Sequence, residues 1–319
     1  MGSGATDFPK RSEGYALVTK VLLDTDIGTD IDDAVCLAYL LAQRDCELMG
    51  ITTVTGEAEK RAMLASVLCT VAGKAIPIFP GAEQPLVVPQ LQKVATQAVV
   101  LPNWDHETRF PRGEAVEFLR STIRRFPREI TLLTIAPLTN IGLLFSVDPE
   151  IPSLLKGIVM MCGRFGGPVN GEYGPLEWNA CGDPHATAIV YGAGVPIHRS
   201  CGLDVTSWVT MDANDFRNQF GGFRLFRPVL DMAEVWFKEW GGVTFHDPLA
   251  AATIFDETIC TFRRGTVSIE LGDAESAGKT SWSENAAEPR HEIAVEVNND
   301  RFFRHYRSLF IKKGSGIEQ

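Results

Sequence analysis

Five carboxylates crowd into ten residues near the start of the chain: Asp24, Asp26, Asp30, Asp32 and Asp33. Acids this close repel one another unless a cation neutralises them. A hard divalent ion that takes about six to eight oxygen ligands is the natural partner. The cluster follows an apolar run at 21–23 and precedes a helical pattern at 34–42, so Asp32 and Asp33 fall where a helix N-terminus favours negative charge. One aspartate there would be an ordinary cap in a solvated turn. Five, with one at a strand end, point to a cation site. An EF-hand loop is excluded, because counting from Asp24 its sixth and twelfth positions hold Thr29 and Val35 instead of Gly and Glu.

The elements that must position these acids are legible as alternation. Apolar or β-branched runs at 21–23, 48–54, 76–79, 130–135, 158–161 and 195–198 read as strands. Helical spacing at 34–42, 57–72, 114–126, 139–147 and 184–191 falls between them. This rhythm predicts an α/β fold, a single domain with a mostly parallel, Rossmann-like central sheet and helices on both faces. The proline-rich stretch 80–112 lacks periodicity and reads as a surface excursion. The last third is less regular, with helices near 228–240 and after Pro248 and extended segments at 266–271 and 293–297. Residues 1–19 read as a flexible N-terminal segment and 20–312 as the catalytic domain.

Composition narrows the function. Hydrophobic residues make up 45% of the chain, enough for a sizeable core, and the net charge of −10 comes with no basic run. That balance argues against nucleic acid or an anionic membrane as partner. No stretch nears the ~18 apolar residues of a membrane span, and the start of the chain has no apolar signal-peptide core. The seven cysteines are odd in number, scattered and without metal-ligand spacing, which suits reduced thiols and a cytoplasmic location.

In sheets of this kind, ligands bind beyond the carboxyl ends of the strands, so the remaining strand-end segments matter. They are Ala136-Pro137-Leu138-Thr139-Asn140, Glu177-Trp178-Asn179 leading to Asp183-Pro184, and Phe245-His246-Asp247-Pro248. Each alone is a weak motif. Together with the acid cluster and in this order, from about residue 20 to 310, they resemble the inosine–uridine-preferring nucleoside hydrolase family. The resemblance implies calcium-dependent hydrolysis of the N-glycosidic bond of a ribonucleoside, giving ribose and free base, as in purine and pyrimidine salvage. It implies Ca²⁺ held by Asp26, Asp33, Asp247 and the backbone carbonyl of Ile135, with Asp26 also acting as general base on a calcium-bound water. Asp32, Glu177 and Asn179 would grip the sugar, and His246 would assist the leaving base. Family members are commonly dimers or tetramers, so a homodimer or homotetramer is expected.

The chemistry is consistent with these residue types. Breaking an N-ribosidic bond develops an oxocarbenium-like sugar, which a pocket of carboxylates stabilises. Trp178, Trp240 and Phe245 are candidates for stacking on a base, although such aromatics more often build core. Three features depart from the family pattern. The spacer between Asp26 and Asp32 is two residues longer and adds Asp30. Glu57 stands where better-known members carry Asn, placing an acceptor-only side chain near the expected ribose. The loop before Glu177 is longer, and Asn170 is the nearest match there to a sugar-binding Asn. Two alternatives follow: a non-catalytic calcium-dependent nucleoside or ribose binder, and a haloacid-dehalogenase-like phosphohydrolase. The second also sets Asp-x-Asp after its first strand but needs a Lys and a later acidic pair.

Overall fold

The computed structural model describes residues 18–310. The expected flexible segment therefore lies outside the described residues, apart from Val18 and Thr19. Nine strands form one sheet: β1 (Thr19–Thr25), β2 (Cys46–Thr53), β3 (Ile78–Pro80), β4 (Ile130–Thr134), β5 (Gly157–Met161), β6 (His198–Cys201), β9 (Cys260–Ile269), β10 (Thr280–Ser283) and β11 (His291–Val297). Their order is β10-β9-β11-β6-β5-β4-β1-β2-β3. All neighbours from β3 to β11 pair in parallel, and only β9 runs against the rest. A separate antiparallel pair joins β7 (Thr210–Asp212) to β8 (Gly242–Thr244).

The central strands read as unbroken apolar runs because both faces are covered. Val21, Leu23 and Leu133 face one core layer, while Leu22, Ile130 and Leu132 face the other. From β1 the chain steps outward to β2 and β3, then returns to the opposite side of β1 as β4. The loops after β1 and β4 thus open a crevice where the strand order reverses. The acid cluster sits at that switch point.

Three expectations shift. Residues 195–198 begin a strand only at His198, because Pro196 lacks the N–H that pairing needs. The irregular last third supplies β9, β10 and β11 to the same sheet, then an amphipathic helix, Asn299–Ser308, capped by Asn298. The stretch 80–112 is only partly a surface excursion. Its 3₁₀ turn, Thr96–Asn103, buries Gln97 against the first loop and Val100 and Leu101 in the core. All seven cysteines are free thiols.

Candidate active site

Helix Asp32–Ala42 is buried on every side and packs on helix His246–Phe255, so both N-termini meet at the carboxyl end of the sheet. The backbone N–H of Asp247 donates to Asp32 Oδ2 at 3.2 Å, fixing one N-terminus against the other. Strand β8 feeds directly into the second helix and so places His246 and Asp247. Carboxylate oxygens of Asp32, Asp33 and Asp247 lie within 4.8 Å of one another, and all three residues are buried. Asp26 and Ile135 line the same cavity, of about 690 Å³, with Asp26 outside that tight trio. Asp32, expected on the ribose, thus also belongs to the tight trio with Asp33 and Asp247.

Burial governs the electrostatics. It pushes Asp26 up to about 6, against the opposing pull of the Arg61 charge and a hydrogen bond from Gln92. Burial and then mutual repulsion hold Asp32 and Asp247 well above the usual carboxylate range. Asp33 is raised by burial and by Asp26, against a hydrogen bond from Thr25. Such a set of buried acids without direct cationic partners fits a divalent cation, which removes the cost of ionising them.

Other members of the first loop support these groups. Asp24 is buried and does not line the cavity; Thr52 Oγ1 and Asn140 Nδ2 donate to its Oδ1, and burial takes it to about 7. Half-buried Asp30 lines the cavity and accepts from the backbone of Ile31.

Glu177 and Asn179 reach the cavity wall. The Glu177 carboxylate accepts three backbone N–H groups, from Gly163, Asn179 and Ala180, at 2.8 to 2.9 Å. Asn179 donates to the Met161 carbonyl at 2.9 Å. Both are anchored into their loop as well as exposed to the cavity. His246 is buried, with Nδ1 against Thr206 Oγ1 at 2.7 Å and Nε2 against the Tyr173 hydroxyl at 3.2 Å. Burial drives its imidazole down to about 4.

Two expected sugar contacts stand off the cavity. Glu57 adopts a left-handed backbone at the start of helix Ala58–Ala72, so its carboxylate turns to Lys60 and to the Ala95 N–H. Asn170 is exposed and bonds to Ser207. Among the aromatics, Trp178 and Trp240 line the cavity mouth, at 48% and 55% exposure. Phe245 is core.

Sequence reading overlooked Tyr173, Gln92 and Arg61. The first two sit in polar loops without periodicity, and nothing local signals their convergence. Arg61 lies on a stretch that reads only as helical, and an arginine is ordinarily solvated; here it is fully buried.

The comparisons with known proteins agree with this arrangement. The model of the inosine-uridine preferring nucleoside hydrolase family matches residues 21–304. The chain is 30% identical over 307 residues to the inosine-uridine preferring nucleoside hydrolase of Leishmania major, covering 89% of this chain and 95% of that protein. It is 28% identical over 275 residues to uridine nucleosidase 1 of Arabidopsis thaliana, covering 79% and 78%. A solved plant nucleoside hydrolase shares the fold at TM-score 0.79 and 24% identity, over 92% of this chain and 98% of that one. The purine-preferring ribonucleoside hydrolase from Gardnerella vaginalis does so at 0.77 and 23%, over 91% and 98%. With the family model spanning nearly all of the described residues and the acids gathered at the switch point, the chain belongs to the inosine-uridine preferring nucleoside hydrolases, metal-dependent N-ribosyl hydrolases.

Proposed function

We propose that the chain hydrolyses ribonucleosides to ribose and free base with calcium as its metal and Asp26 as the base that deprotonates the attacking water. The observation that carries this reading is the convergence of Asp32, Asp33 and Asp247 beside Asp26 and Ile135 in one cavity. An all-oxygen donor set with several carboxylates suits a hard cation, and a set supplied largely by the protein suits Ca²⁺ better than Mg²⁺, which usually keeps several waters. Asp33, Asp247, Asp26 and the Ile135 carbonyl would hold it, and Asp32 is placed to share that role or to take a ribose hydroxyl. Bound there, calcium would supply a fixed positive charge that draws in the ribose hydroxyls and lowers the pKa of the nucleophilic water.

The chain's own residues do the rest. Asp26 takes the proton from the water as it attacks the anomeric carbon. Glu177 and Asn179, which line the same cavity, orient the ribose. The carboxylates around the sugar favour the positive charge that develops as the bond to the base breaks. His246 is held neutral by burial, so it acts as a hydrogen-bonding relay with Tyr173 toward the departing base, not as a standing cation. Trp178 and Trp240 offer apolar faces to that base at the mouth.

Family membership sets aside the phosphohydrolase reading. The case for a non-catalytic binder rested on Glu57 and the altered loop, and Glu57 does not line the cavity. A reducing-sugar assay over a nucleoside panel, with calcium or with a chelator, tests the proposal. Ribose release that the chelator abolishes and calcium restores is expected. Release indifferent to chelation would overturn the calcium assignment.

A further inference from the structure

Beneath the acid loop lies the guanidinium of Arg61, fully buried. Its Nη1 donates to the carbonyls of Asp26 and Ile27 and to Thr29 Oγ1, the latter two at 3.2 Å. Its Nε donates to the Gly56 carbonyl at 2.9 Å, and its Nη2 has no protein partner. Every one of these bonds goes to a carbonyl or a hydroxyl, and none to a carboxylate. A buried cation with neutral partners is costly unless nearby charge offsets its desolvation. The nearby charge comes first from Asp26 and Asp33, then from Glu57 and Glu83.

The same arginine spans two of the three places where the sequence departs from the expected motif pattern. It grips Asp26, then Ile27 and Thr29 in the lengthened spacer, and Gly56 in the segment that ends in Glu57. Gln97 completes the grip from the other side, donating to the carbonyls of Thr29 and Asp30 at 3.0 and 3.1 Å. Ligands held by a two-residue-longer loop need such a tie, since a freer loop would spread the positions of Asp26 and Asp32.

We infer that Arg61 is a resident counter-cation and positioning residue: it holds the Asp26 loop in place and balances Asp26 and Asp33 when no metal is bound. The inference rests on the metal reading above and extends it to the metal-free protein. Without Arg61, the metal becomes the main counter-charge for the cluster. The calcium-dependent part of stability should therefore grow when the charge is removed, and not when it is kept.

The test compares wild type, Arg61→Gln (a donor without charge) and Arg61→Lys (a charge without the fork). Thermal midpoints are measured in chelator and in saturating calcium, alongside kcat and KM. The calcium-induced rise in Tm should exceed that of wild type by about 5 °C or more in R61Q. In R61K it should match wild type while kcat falls roughly tenfold with a smaller change in KM. An R61Q that folds only with calcium is the extreme form of the same result. Equal calcium increments in all three proteins, an enlarged increment in R61K as well, or an R61K with wild-type kcat would overturn the role of Arg61. So would an R61Q that stays insoluble even in calcium, because the metal then cannot stand in for the guanidinium. A wild-type chain whose Tm ignores calcium refutes the metal reading itself, and this inference with it.

Discussion

Asp26 and His246 flank one cavity but differ in how burial treats them, and their variants should fail differently. Asp26→Asn removes the proton acceptor while keeping size and hydrogen bonding. Ribose release should fall by roughly 10²- to 10⁴-fold with little change in thermal midpoint in chelator, as read by reducing-sugar assay and calorimetry. Retention of more than a tenth of wild-type kcat would exclude Asp26 as the base. For His246, burial has moved the imidazole from its ordinary 6.5 down to about 4. Its ¹⁵N shifts should therefore stay those of the neutral ring from pH 8 to pH 5. A midpoint near 6.5 would mean that the ring is solvated and free to act as a cation.

At the level of elements, the crevice depends on ties between strand ends. Asn140, at the start of helix Thr139–Val147, donates to Asp24 at the end of β1 and to the Thr53 carbonyl at the end of β2, and its Oδ1 accepts from Ala82. Three elements are thus pinned by one buried amide. Asn140→Leu strands those partners, so the chain should lose about 3 kcal/mol, visible as a lower urea midpoint at unchanged slope. A loss below about 1 kcal/mol would show that the strand ends are held by packing alone. The cavity wall at 91–94 depends on Gly56 in a similar way. A Cβ there would lie 2.6 Å from the Lys93 carbonyl and 2.7 Å from that of Gln92. Gly56→Ala should displace that segment and raise KM several-fold more than it lowers kcat, a split that steady-state kinetics with nucleosides resolves.

The molecule as a whole carries an unusual pH dependence. Asp24, Asp26 and Asp30 are raised to about 7, 6 and 6, and Asp32, Asp33 and Asp247 are held well above the usual carboxylate range. Their folded-state pKa values exceed the unfolded one, so the folded chain binds protons more readily. The stability they contribute is fully present below about pH 4 and is lost as pH rises through about 6 to 7. His198 and His246 work in the opposite sense. Lowered to about 3 and 4, they contribute stability present above about pH 6.5 and lost as pH falls through those values. The acids outnumber them, so in chelator the thermal midpoint should drop between pH 5.5 and pH 8. Saturating calcium, which favours the ionised acids, should flatten that drop. A midpoint that rises over the same interval in chelator would mean that the acids are solvated.

Much of this was written into the order of the residues. Alternating apolar runs specify a parallel α/β sheet, because strands buried on both faces must be continuously apolar and their crossovers must be helices. Asp26, Asp32, Asp33, Glu177, Asn179, His246 and Asp247 could be singled out because their segments fall after strands and together resemble a family's motifs in order, and all seven line the cavity. Long-range placement decided the remainder. That Asp32 and Asp33 gather with Asp247, that Glu57 turns away to Lys60 and Ala95, and that Asn170 bonds to Ser207 all depend on how distant segments meet. Arg61 makes the point most plainly. Its helix gives no sign that it is buried, since whether a guanidinium meets solvent or the underside of an acid loop is set by the packing of elements far apart in the chain.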